Sequence, residues 1–395
     1  MGGNAFRALL SSTAFPRLPP PVYKSIKGRF VPRLKALYSF ADVPREAPEK
    51  KDFGDLDILV ATPKEAHSLG VTHEMVKSTL GAEFMIPMEG NRTSNYAVPV
   101  GLGEWAPLGY GAEEIEHRKA TDDGKIYYQV DVHVCQDKSE WDRYFFFHAY
   151  GDFGMILGLI ARNVGLHLGV KGLKMPDPPN PALHLSDSFD EITEFLGISL
   201  ATFREGFKTK REVFEWAASV KYFDAKNFRS RGPGISKVKP ERKMYAEFVE
   251  WVQKTKPLAS VYADDGFDER VQKVRRDALV FFQKKEEYEN MAKAAAQART
   301  VRALRKDSFS GHVVRDWTGL GEHWKGVKII MDEVRARMGG DAAIVEFLRE
   351  NSEDDLKTIV LQVQDDLGIK PRQQAATLSP TSRRAPDSEL EAPLR

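Results

Sequence analysis

The sequence has a single cysteine among 395 residues and lacks any long uninterrupted hydrophobic run. The lone Cys135 excludes an intrachain disulfide framework and fits a reducing compartment. The most apolar window, residues 155–170, is broken by Arg162. It therefore predicts a buried helix rather than the roughly 20 apolar residues of a membrane span. We expect an intracellular protein, cytoplasmic or nuclear, with no membrane partner.

Acidic residues are missing from residues 1–41, which carry seven lysines and arginines, although the whole chain has a net charge of only +1. A basic, acid-free start that contains serine is typical of a mitochondrial transit peptide. The same composition suits a phosphate-facing surface of the mature fold. A mitochondrial location therefore remains open.

The length exceeds what one hydrophobic core usually supports, so we expect more than one folded region and a tail. The sequence predicts a strand-containing domain over residues 1–150 and a helical region over residues 151–256. A helical C-terminal region follows over residues 257–370. Residues 371–395 show neither periodicity nor core residues and are predicted to be disordered.

Hydrophobic spacing predicts the elements of an α+β fold. Apolar residues at helical intervals indicate a helix over residues 22–38, and alternation indicates a strand over residues 52–60. Residues 112–135 are predicted to form a hairpin that turns at Asp122-Asp123-Gly124. Beyond residue 138 the pattern is helical, with capping-box starts at Ser188, Thr209 and Ser352. The strands thus come first and a mostly helical part follows.

Carboxylates on two predicted strands are the strongest chemical signal. Asp55 and Asp57 occupy positions i and i+2, which project from the same face of a strand, and Asp131 lies on a later, otherwise apolar strand. Three such charges repel one another, and hard oxygen ligands suit Mg²⁺ or Mn²⁺. The alternative is that all three acids lie on solvated surfaces. We interpret them as catalytic metal ligands.

Three segments resemble the signatures of the DNA polymerase β-like nucleotidyltransferase superfamily: Gly2-Gly3, Gly54-Asp55-Leu56-Asp57-Ile58-Leu59-Val60 and Val130-Asp131-Val132. The chain is also similar to poorly characterised nucleotidyltransferase-like proteins of fungi and large viruses. The resemblance implies a small mixed sheet flanked by helices, followed by a helical domain that shapes the pocket. It also implies that Asp55, Asp57 and Asp131 bind metal and that the Gly-Gly turn approaches the triphosphate.

The implied activity is two-metal transfer of a nucleoside monophosphate from a nucleoside triphosphate, such as ATP, to a hydroxyl acceptor. Residues 309–338 are similar to the terminal helices of CCA-adding enzymes, which favours RNA as the acceptor. Residues 226–243 are basic and suit the phosphates of a triphosphate or an RNA backbone, or form a solvated loop. Two other functions remain open: a catalytically inactive module that binds nucleic acid or protein, and transfer to a small molecule or a protein.

The candidate nucleotide-binding residues are Gly2, Gly3, Asn4, Gly54, Asp152, Lys221 and Tyr222. Gly3 lies farther from Asp55 than superfamily members usually show, so Gly2 and Gly3 are either the phosphate-facing turn or flexible starting residues. Asp152 either lies near the nucleotide or caps the following helix. Lys221 and Tyr222 offer a cation and a ring for a base, or belong to the core.

Overall fold

The computed structural model describes residues 5–87, 92–228, 242–255 and 267–371. The chain forms two compact units, Met1–Asn290 and Met291–Arg395. The predicted boundaries at residues 150 and 256 do not coincide with this division, because the sheet and the helices that follow it share the first unit. The predicted tail lies outside the described residues, except for Pro371.

A five-stranded mixed sheet organises the first unit, which confirms the predicted α+β class. Its strands are β1 (Tyr38–Asp42), β2 (Leu56–Pro63), β3 (Phe84–Pro87), β4 (Thr93–Pro99) and β5 (Tyr127–Cys135). The spatial order is β1-β2-β5-β4-β3. Strands β2 and β5 run parallel at the centre, and their outer neighbours pair antiparallel. The two strands that carry the predicted acids are therefore adjacent.

Helix α1 (Pro20–Leu37) covers one face of this sheet and matches the helix predicted over residues 22–38. Proline suits its first turn, where an N–H has no helical partner. Val22, Ile26, Phe30 and Leu34 are buried in one hydrophobic cluster with the apolar side of β2 and β5. The basic residues of this segment thus belong to a helix that forms part of the core.

The other helices surround the sheet or form the second unit. In the first unit they are α2 (His73–Leu80), α3 (Gly111–Lys119), α4 (Lys138–Phe147), α5 (Phe153–Arg162), α6 (Phe189–Leu196), α7 (Leu200–Glu205), α8 (Lys210–Ala217), α9 (Lys243–Thr255) and α10 (Phe267–Phe281). The division between the units falls within α11 (Lys285–Ser308). The second unit continues with α12 (Gly311–Thr318), α13 (Trp324–Met338), α14 (Asp341–Glu350) and α15 (Glu353–Asp366).

The predicted hairpin over residues 112–135 is wrong in its first arm, which forms helix α3. The charged residues of this arm are ordered along the helix, with acids in its first turn and bases in its last, as the helix dipole favours. Glu114 is buried and accepts hydrogen bonds from the backbone N–H groups of Gly103 and Trp105. Arg118 forms an ion pair with it at 2.8 Å. These contacts hold the helix against the preceding loop.

A second, three-stranded sheet follows α5, where the sequence predicted a mostly helical region. It consists of β6 (His167–Gly169), β7 (Gly172–Asp177) and β8 (Asn180–Ser186). The strands are short and interrupted by prolines, which weakens the alternation that marks a strand. Gly172 is required at φ +79°, because an added Cβ would lie 2.2 Å from the carbonyl oxygen of Ser186.

The three predicted helix starts are present. The side chains of Ser188, Thr209 and Ser352 each accept a hydrogen bond from the backbone N–H three residues later, and the reciprocal bond of a full capping box forms at Ser352. Among the described residues, no helix combines the length and the apolar character that crossing a membrane requires.

Candidate metal centre

The central pair of parallel strands brings the three predicted acids together. Asp57 on β2 and Asp131 on β5 are register partners, and Asp55 lies immediately before β2. One ligand oxygen from each carboxylate can be chosen so that all lie within 4.8 Å of one another. The opposite side of both strands is buried under α1, so the pleat alone directs these side chains away from the core. The arrangement is one that a divalent cation can bridge.

Two amides hold the carboxylate of Asp131 in place. Asn95, its register partner on β4, donates a hydrogen bond of 2.7 Å to Oδ1. Gln129 donates bonds of 3.0 and 3.1 Å to the two carboxylate oxygens. The sequence places Gln129 on the same strand face as Asp131, but it contains no local signal for Asn95, because the pairing of β4 with β5 is a long-range contact. Both amides orient the carboxylate and stabilise its charged form.

We expect Asn95→Leu to weaken divalent-metal binding by about 10- to 100-fold, because the substitution removes the bond that orients Asp131 while keeping the branching and number of side-chain heavy atoms. Titration of the purified variant with Mn²⁺, followed by electron paramagnetic resonance, measures this change. A matched Ser94→Ala variant serves as control, since Ser94 is the neighbouring residue on β4 and its hydroxyl contacts His73 instead. Unchanged Mn²⁺ affinity in Asn95→Leu would contradict a role for this amide.

The environment of the carboxylates disfavours three negative charges. Restricted hydration raises the pKa of Asp57 to about 8, and the charges of Asp55, Asp131 and Glu46 add to this effect. Burial also raises the pKa of Asp55, and it raises the pKa of Asp131 to about 6 despite the amide bonds from Asn95. The side chain of Asp57 is exposed to solvent in the pocket that it lines, although protein surrounds it on most other sides. The cluster therefore requires protons or a cation near neutral pH.

A fourth carboxylate, Glu46, lies in the irregular segment between β1 and β2. Tyr23 donates a hydrogen bond to one of its oxygens, and Lys50 donates to the other at 2.7 Å. The ammonium of Lys50 also lies 4.4 Å from the centroid of the Phe53 ring. The sequence missed Glu46 because its neighbours lack a strand or helix pattern. The contacts of Lys50 with Glu46 and Phe53 place its ammonium group beside the carboxylates.

Two of the three acids, Asp57 and Asp131, line a pocket of about 530 Å³, which is within the usual size range of small-molecule sites. Its wall contains Asp57 and Asp131 but also cationic and aromatic side chains. The cations are Arg45, Lys50 and Arg242, and the rings are His133, Tyr144 and His148. A ligand that carries both negative charge and a flat ring matches this lining.

Asp152 lines the same pocket, but its carboxylate is already engaged. It accepts hydrogen bonds from Arg242 at 2.9 Å and from the backbone N–H of Tyr245 at 3.2 Å. It occupies the N-cap position of α5 without capping that helix, and it instead caps the first turn of α9. Asp152 therefore joins α5 to α9 and positions Arg242 at the pocket.

The remaining candidate residues take other positions. Gly54 is buried directly before Asp55. Tyr222 is buried against Phe195, and the ammonium of Lys221 lies over both rings; neither residue lines the pocket. The structure thus does not bring Lys221 and Tyr222 to the carboxylates.

Gly2, Gly3 and Asn4 lie outside the described residues, and so do residues 229–241 of the basic segment. The first described residue, Ala5, donates its backbone N–H to the side-chain oxygen of Gln129 at 3.1 Å. Asp52, another nearby acid, forms an ion pair with Arg17 at the surface.

No protein-family model matches the chain, and a search of curated proteins found no match. The chemistry of this site is therefore inferred from its geometry and charge.

Proposed function

We propose that the protein is a divalent-metal-dependent nucleotidyltransferase, which moves a nucleoside monophosphate from a nucleoside triphosphate to a hydroxyl group, with RNA as the acceptor. The observation that supports this most is the cluster of Asp55, Asp57 and Asp131 on adjacent parallel strands, with ligand oxygens within 4.8 Å of one another. The cluster lies at a pocket of nucleotide size.

The donor set fits Mg²⁺ or Mn²⁺, because all three ligands are carboxylates and hard cations prefer oxygen. The raised pKa values support the same conclusion, since repulsion within the cluster is relieved when a cation binds. When bound, such ions activate an attacking hydroxyl and neutralise charge on the triphosphate and the pyrophosphate leaving group. Asp55, Asp57 and Asp131 would hold them.

The cationic side chains of the pocket also support the proposed nucleotide binding. Lys50 and Arg242 line the pocket while paired with Glu46 and Asp152, respectively, so their orientation is fixed. Arg45 donates to the hydroxyl of Tyr150 and, among the described residues, has no carboxylate partner. These groups suit the charge of a triphosphate, and fixed groups stabilise a transition state without reorganising. In this proposal they bind and orient the substrate.

The proposal is tested by incubating purified protein with each α-labelled nucleoside triphosphate, total RNA and Mg²⁺ or Mn²⁺, beside a sample containing a chelator. We expect label to enter RNA only with metal, and the preferred triphosphate identifies the nucleotide. Label on the protein alone would contradict RNA as the acceptor and indicate a protein acceptor. If neither transfer nor metal-dependent nucleotide binding occurs, the chain is an inactive binding module and the proposal is wrong.

A further inference from the structure

Three stacked rings form a wall of the pocket beside the carboxylates. The ring centroids of His133 and Tyr144 are 4.4 Å apart with an interplanar angle of 27°, and those of Tyr144 and His148 are 5.4 Å apart at 3°. All three residues line the pocket. Tyr144 covers one face of each histidine, so the three side chains form a continuous aromatic surface.

The position of this aromatic wall relative to the metal ligands is set by strand β5. His133 follows Asp131 by two residues and projects from the same face, about 7 Å farther along the strand. This separation is on the scale of a nucleoside between its α-phosphate and its base. A nucleotide whose phosphates lie at the carboxylates therefore reaches the rings with its base.

The chemistry of the aromatic wall fits a nucleobase. His133 Nδ1 lies 2.8 Å from the hydroxyl of Thr93, while its Nε2 is buried and has no hydrogen-bond partner among the described residues. Because Nε2 is buried, the part of the wall that a base can contact is its flat ring surface.

We propose that the aromatic wall of His133, Tyr144 and His148 binds the nucleobase of the donor nucleoside triphosphate by stacking. This inference rests on the proposed function and names the part of the pocket that holds the base. Stacking accepts every base, because all four present a flat π face.

The test compares two ligands in Mg²⁺: the preferred nucleoside triphosphate, and inorganic tripolyphosphate, which carries the charge without a base. Base stacking is worth about 1–3 kcal/mol. We therefore expect Tyr144→Leu to raise the Kd for the triphosphate by about 5- to 150-fold and to leave tripolyphosphate binding unchanged. Tyr144→Phe, which keeps the ring, should bind both ligands like the unmodified protein.

Phe145→Leu is the matched control, because Phe145 is the next residue of α4 and lines a different pocket. It should bind both ligands normally. Equal weakening of both ligands in Tyr144→Leu would show a structural role and overturn the inference. Unchanged triphosphate binding with a raised KM for RNA would assign the rings to the acceptor and also overturn it. If the proposed function itself is wrong, the unmodified protein binds neither ligand in Mg²⁺. This result differs from every outcome that concerns the aromatic wall alone.

Discussion

Asp57→Asn is expected to lower kcat/KM for nucleotide transfer by about 10³-fold or more, because the substitution removes a proposed metal ligand that adjoins both other carboxylates. Asparagine has the same shape as aspartate, and the residue lies in a pocket wall, so the fold should persist. The measurement is label incorporation under saturating Mg²⁺, together with circular dichroism of the same sample.

Asp52→Asn is the matched control for this substitution. Asp52 lies in the same segment and makes an ion pair with Arg17, but it is about half exposed and does not belong to the carboxylate cluster. We expect Asp52→Asn to transfer label at close to the normal rate. Equal activity of the Asp57→Asn and unmodified proteins would contradict the assignment of the site.

The second large expected effect is on the thermal stability of the metal-free protein. Two like charges less than 5 Å apart repel by about 3–4 kcal/mol at an effective dielectric constant near 20. The double variant Asp57→Asn/Asp131→Asn removes this repulsion and keeps the side-chain shapes. We therefore expect it to unfold about 5–10 °C above the unmodified protein in a chelator at pH 8. Differential scanning calorimetry with and without Mg²⁺ measures this difference.

The sign of the pH dependence follows from the raised pKa values. Aspartate in the unfolded chain titrates near pH 4, whereas Asp131 and Asp57 titrate at about 6 and about 8 in the folded protein. Their protonated forms stabilise the fold below pH 4, and this contribution is lost as the pH rises toward 8. The metal-free protein should therefore lose stability over this interval relative to the double variant.

Added Mg²⁺ should remove most of that difference by stabilising only the unmodified protein. A double variant that is less stable than the unmodified protein at pH 8 in chelator would show that the carboxylates have a structural role. In that case, repulsion between the carboxylates would not govern the stability of the metal-free protein.

Local pattern was sufficient to predict the shared direction of two of the three acids, and the reason is geometric. Side chains at i and i+2 share a strand face regardless of what the strand pairs with, so Asp55 and Asp57 were predicted to project together. The choice of neighbouring strand is not encoded locally. Asp57 lies opposite Asp131 because β2 pairs in parallel with β5. Only the folded structure provides this pairing.

The parts of the site that the sequence missed arise from contacts between distant segments. Glu46 lies in an irregular segment, and its position is fixed by Tyr23 on α1. Asn95 approaches Asp131 through the antiparallel pairing of β4. Conversely, Tyr222 had the composition of a base-stacking residue, but the packing of Phe195 against it places it in the core. Neither outcome follows from residue type alone.

The most direct test of the central claim is Mn²⁺ binding at neutral pH, measured by electron paramagnetic resonance on three proteins. If Asp55, Asp57 and Asp131 form a metal centre, the unmodified protein and Asp52→Asn bind Mn²⁺ alike, and Asp55→Asn/Asp57→Asn does not. Equal binding by all three proteins, or no binding by the unmodified protein, would contradict the claim.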